Sequence, residues 1–234
     1  MKISRGLAAL ILTICFQTIV SAEYLYKDEL IYNPKFNAEV EKLGTELHSK
    51  TGIALKLIML SKLPHDKNIV EYQKEILKDF SEPTILLTFS ELDSQVDILA
   101  NDASLYEYFD KKQVLSPVAS PVQAFLMAVL YSNSFDSFKE MMSDSDGTIL
   151  PLLAGKAKDG ETLGKYSGAM FNGYTDIAEQ IAISKNIVLE NAAGNANKNS
   201  ILLVKTVFYG FILYAFFMYL KRKFYTGREE LEQK

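Results

Sequence analysis

Residues 33–60 read NPKFNAEVEKLGTELHSKTGIALKLIML, and this stretch sets the fold class. Phe36, Val40, Leu43 and Leu47 recur at helical spacing, which predicts an amphipathic helix over Asn33 to Ser49. Asn33-Pro34 is a helix start, because Pro fits the first turn, where its missing N–H costs nothing. Thr51-Gly52 stops the helix. IALKLIML, Ile53 to Leu60, is a short apolar run and reads as a strand buried on both faces. A helix delivered into a buried strand is the building unit of an α/β protein.

The pattern continues outward. Ser61 to Asp66 is a loop, and Ile69, Tyr72, Ile76 and Phe80 line one face of a second helix. Pro83 introduces TILLTF, Thr84 to Phe89, as a second strand. Glu91 to Ser94 is a turn, and Gln95 to Ala100 returns as the hairpin partner. Asp102 to Lys111 reads as a short helix, Pro121 to Tyr131 (PVQAFLMAVLY) as a more apolar one, and Phe135 to Met142 as helical. Asp144 to Asp159 is loop-like around an apolar ILPLLAG, and Lys165 to Lys185 is the last long helix. The apolar composition of Pro121 to Tyr131 predicts burial in the domain's own core. The alternative is a partner-binding helix.

The two ends suggest an address. Met1 to Ala22 carries Lys2 and Arg5, an apolar run from Leu7 to Val20, and Ser21-Ala22 before Glu23, the layout of a secretory signal peptide. An uncleaved anchor is the alternative. Cys15 does not make a lipobox, because Ile14 stands where a small residue is required. Ile201 to Leu220 (ILLVKTVFYGFILYAFFMYL) is apolar except for Lys205, and twenty helical residues rise about 30 Å, the thickness of a bilayer core. Lys221, Arg222, Lys223 and Arg228 follow and predict a cytoplasmic tail. The expected organisation is a signal peptide over 1–22, an exported α/β domain over 23–190, a flexible tether over 191–200 (NAAGNANKNS from Asn191), a transmembrane helix over 201–220 and a cytoplasmic tail over 221–234. That layout predicts a single-pass protein of the inner membrane in a double-membraned bacterium, its domain periplasmic.

Charge and composition exclude several chemistries. Residues 23–200 hold 17 Lys, no Arg and 26 Asp plus Glu, a net charge near −9. Nucleic-acid binding needs a cationic surface, so that class is excluded. The lack of Arg removes the bidentate fork that recognises phosphate. Cys15 is the one cysteine, so the exported domain has no disulfide, thiol nucleophile or Cys-based metal site. His48 and His65 fall on different elements, an exposed helix position and a loop, and no G-x-S-x-G elbow occurs.

The succession of Thr51-Gly52-Ile53 into IALKLIML, Asn68-Ile69-Val70-Glu71-Tyr72 into TILLTF, Ile149-Leu150-Pro151, and Lys165-Tyr166-Ser167-Gly168-Ala169-Met170-Phe171-Asn172-Gly173 resembles the TPM domain. That family contains thylakoid-lumen, photosystem-repair and acetylcholine-receptor-modulator proteins. The resemblance covers Asn33 to Ser184, with an insertion over Val114 to Thr148. It implies a TPM-like sandwich of a small mixed β-sheet with flanking helices, and often a C-terminal membrane helix. The chain departs from the family at Leu30-Ile31-Tyr32-Asn33-Pro34, where an Asp is usual, at Leu77 to Glu82, which lacks Gly, and at Ala100-Asn101-Asp102, where a Gly is expected.

Some members are acid phosphatases or calcium binders that depend on acidic residues. Of that set, Asp93 and Asp102 are the positions that match, and they are the candidate metal ligands here, for Ca²⁺. Asp97 and Asn101 lie near them in sequence, but Asp93 belongs to the turn and Asp97 to a strand, so solvated turn carboxylates are the favoured account of the cluster. Asp144-Ser145-Asp146-Gly147-Thr148 spells the nucleophile loop of haloacid-dehalogenase phosphatases, but a helical pattern precedes it where that loop needs a buried strand. It also lacks the ligand spacing and closing Glu of an EF-hand.

The expected function is therefore a non-enzymatic accessory protein, chaperone-like, that aids assembly, stability or repair of an inner-membrane protein complex. Its partners are an integral membrane protein complex and, through Ile201 to Leu220, the lipid bilayer. The aromatics within that segment read as a generic aromatic-rich anchor, with helix–helix contact beside Gly210 as the alternative. The alternative is a weak acid phosphatase or calcium-binding TPM enzyme.

Overall fold

In the computed structural model, four strands form one mixed sheet in the order β1-β2-β3-β4. The structure describes residues 24–143, 145–192 and 206–222. Strand β1 (Leu25–Asp28) runs parallel to β2 (Ala54–Leu60), β2 parallel to β3 (Thr84–Ser90), and β3 antiparallel to β4 (Gln95–Ala100). Helix α1 (Pro34–Thr51) connects β1 to β2, and α2 (Ile69–Leu77) connects β2 to β3. A 3₁₀ turn (Ala103–Glu107) and α3 (Lys111–Val114) follow the sheet, then α4 (Pro121–Tyr131), α5 (Phe135–Ser143), α6 (Leu150–Ala154) and α7 (Thr162–Ser184).

Local chemistry fixes the helix ends. The Asn33 side chain accepts the Lys35 N–H at 2.9 Å, and Pro34 opens α1. Gly52 closes it at φ +72°, a left-handed conformation that strains any residue with a Cβ, and its N–H reaches the His48 carbonyl at 2.8 Å. Helix α2 starts on a capping box: Asn68 Oδ1 accepts from Glu71 N at 2.9 Å, and Glu71 Oε2 accepts from Asn68 N at 3.1 Å.

Every residue of β2 and β3 is buried, so both sheet faces are covered. Ile58, Leu60 and Leu86 join Ile69 and Leu77 of α2 in one cluster, which assigns α2 to one face. Leu57 and Met59 alternate to the other face, where α1 and α7 pack against each other and against β2. Tyr174 of α7 is fully buried there, and its hydroxyl donates to the Leu55 carbonyl at 2.8 Å. Gly44 of α1 lets Tyr24 and Tyr174 approach: a Cβ at that position would lie 2.3 Å from the Tyr24 ring and 2.5 Å from the Tyr174 hydroxyl. The strand β1, not foreseen in the sequence, is a four-residue edge strand with a register shift between Leu25 and Lys27.

The segment leaving α7 is tied back onto α1. Glu46 accepts the N–H groups of Glu190 at 2.6 Å and Asn191 at 2.8 Å, the Asn191 side-chain amide at 2.9 Å and the Lys50 ammonium at 2.7 Å. Burial alone would raise the Glu46 carboxyl, but these four donors outweigh it and hold its pKa down at about 2. Asn191, the first residue expected in the tether, is thus fastened to the domain.

The chain falls into two units, residues 1–191 and 192–234. In the second, the described helix covers 206–222 and exposes apolar side chains all round. Among the described residues no helix is long and apolar enough to cross a membrane. This corrects the expected transmembrane helix in the fold and the expected single-pass placement in the inner membrane. The seventeen described residues of that helix rise roughly 26 Å, against the roughly 30 Å of a hydrocarbon core. Ile201 to Lys205, the expected signal peptide over 1–22, the remainder of the tether and the tail beyond Arg222 lie outside the described residues.

Candidate functional site

The acidic residues around the β3–β4 hairpin do not converge. Asp93 lies in the turn before β4 and Asp102 lies beyond its far end, so the strand Gln95–Ala100 separates them by roughly 20 Å. Asp93 Oδ2 accepts from Ser90 Oγ at 2.6 Å and from Leu63 N at 2.7 Å, and these bonds hold its carboxyl below the usual carboxylate range. Asp102 accepts from Ser104 N at 2.9 Å to cap the 3₁₀ turn, which likewise lowers its pKa. Asp97 pairs with Lys111 at 2.7 Å. Asn101 accepts from Thr84 N at 2.9 Å and donates to the Glu82 carbonyl at 2.7 Å. Each polar group performs local structural work, and the geometry does not fit one Ca²⁺ held by Asp93 and Asp102. Among the described residues no three His, Cys, Asp or Glu side chains gather as a metal site.

The DSDG loop follows a helix. Its first residue, Asp144, lies outside the described residues, and α5 runs up to Ser143, so the buried strand a phosphatase nucleophile needs is not there. Asp146 has φ +63°, and its carbonyl accepts from Gln113 Nε2. Gly147 donates to the Val118 carbonyl at 2.9 Å, and a Cβ on it would collide with the Ser116 carbonyl at 1.9 Å. Gln113 also donates to Asp176 Oδ2 at 3.1 Å and accepts from Gln180 Nε2 at 2.7 Å. This network fastens both stems of the 114–148 segment to α7.

His48 is half-buried, not exposed as expected. Its Nδ1 lies 3.0 Å from the Tyr24 hydroxyl and its Nε2 3.3 Å from Glu82. The chain of three side chains ties β1, the end of α1 and the lead into β3 together. An open cleft of about 680 Å³ runs beside Tyr106, Phe109, Lys112 and Ile183. Its Asp110 carboxylate caps α3 by accepting Gln113 N at 3.1 Å.

The hairpin of α4 and α5 has the most unusual surface in the first unit. Ser120 caps α4 by accepting Gln123 N at 3.2 Å, Pro121 occupies its first turn, and Gln123 Oε1 accepts Ala119 N at 3.2 Å. Ser134 caps α5 by accepting Ser137 N at 3.1 Å. Both helices therefore form on local signals. Yet the only buried residues of α4 are Ala124 and Ala128, one turn apart on a single stripe. Val122, Phe125, Leu126, Met127, Val129, Leu130 and Tyr131 are all exposed, Leu130 by 70%, and Phe135 at the start of α5 by 80%. Phe125 meets Phe138 edge to face at 6.3 Å, and α4 packs chiefly on α5. The expectation that PVQAFLMAVLY is buried in the core is thus corrected: small residues take the buried stripe and large ones face out.

The chain matches no family model and no curated protein.

A contiguous apolar patch of this kind marks an interaction surface in soluble proteins, because water contact with it is unfavourable by roughly 25 cal/mol per Å². With only Ala124 and Ala128 of α4 buried, that patch is left available. Sequence reasoning had one signal for this, the Ala pair at i and i+4, which marks the side where a neighbour comes close.

Proposed function

We propose that this protein is a non-catalytic accessory protein that binds a partner through the α4–α5 hairpin and aids assembly or stability of a protein complex. One observation carries the reading: seven large or medium apolar side chains of α4 face solvent on a helix held at both stems by the Gln113 network. The two central strands are fully buried, while in the first unit the inserted hairpin carries a run of exposed apolar side chains. Function carried on segments set into a rigid frame is the common arrangement. The TPM resemblance supports the same reading, since members serve in photosystem repair and receptor modulation. The structural employment of Asp93 and Asp102 disfavours catalysis by them.

Photo-crosslinking tests it. A benzoylphenylalanine at position 130 of the full chain, irradiated in the cells that make it, is expected to give a discrete adduct. The same probe at Tyr32, an exposed residue on the body, should not give that band. Adding Leu126→Asp should remove it. No adduct from position 130, or the same band from both positions, contradicts the proposal.

A further inference from the structure

We draw no further inference here: the strongest candidate, the outward apolar face of the α4–α5 hairpin around Leu126 and Leu130, belongs to the site already described, and nothing in the structure shows what covers it.

Discussion

The Tyr174 hydroxyl donates to the Leu55 carbonyl oxygen at 2.8 Å, across 119 residues of sequence. That bond joins the last long helix to the central strand, past the whole inserted segment, and it is fully buried. Burial pushes the Tyr174 phenol well above its ordinary pKa, so it stays a neutral donor. Tyr174→Phe keeps the packing and removes only the donor. It should cost about 1 kcal/mol, read as a lower urea midpoint with an unchanged slope. An unaltered midpoint would mean that the helix is docked by packing alone.

Gly44 sets how closely α1 approaches that same tyrosine and Tyr24. A methyl group there would lie 2.3 Å from Tyr24 and 2.5 Å from Tyr174, and both rings are buried. Gly44→Ala should destabilise by about 1–3 kcal/mol, although alanine is the better helix former. A gain in thermal midpoint would show that the three segments are not packed as described.

Glu46 fastens the exit from α7 and titrates low, at about 2. The folded-state pKa lies below the ordinary value of 4.5, so the stabilisation is complete above about pH 4.5 and is lost as pH falls through 2. Glu46→Gln should lower stability by about 2–3 kcal/mol at pH 7, with the gap closing below pH 3. Denaturant titrations of both proteins at several pH values read this. A constant gap across pH would assign the loss to shape and not to charge.

Asp93 and Asp102 sit at opposite ends of β4 and share no partner. Asp93→Asn and Asp102→Asn should therefore act independently, with a coupling free energy near zero in a double-mutant cycle. Added Ca²⁺ should shift the thermal midpoint of wild type and double variant alike. Loss of a Ca²⁺-dependent shift in both single variants would show the two carboxylates acting on one ion.

The sheet and its helices were legible because several signals agreed at each boundary. Asn33-Pro34 with Gly52 bracketed α1, Asn68 with Glu71 opened α2, and the uninterrupted apolar runs became β2 and β3. Strand β1 was not legible, since four residues at a sheet edge with a bulge leave no clear alternation. The region after β4 was read as one helix and is a 3₁₀ turn followed by a single α turn, each with its own Asp cap. The expected bilayer span rested on the apolar composition of Ile201 to Leu220, of which Ile201 to Lys205 lie outside the described residues. Composition likewise placed PVQAFLMAVLY in the core, because apolar content does not state which side a neighbour occupies. Ala124 and Ala128 carried that information. The separation of Asp93 from Asp102 was also present in the sequence, as the strand between them.

The account depends most on the outer face of α4 being a surface. Equilibrium denaturation of the full chain carrying Leu126→Asp and Leu130→Asp tests this directly. Charges placed on an exposed face should leave stability within about 0.5 kcal/mol of wild type, with an unchanged slope. A loss of 3 kcal/mol or more, the mark of an unpaired charge buried in a core, would contradict it.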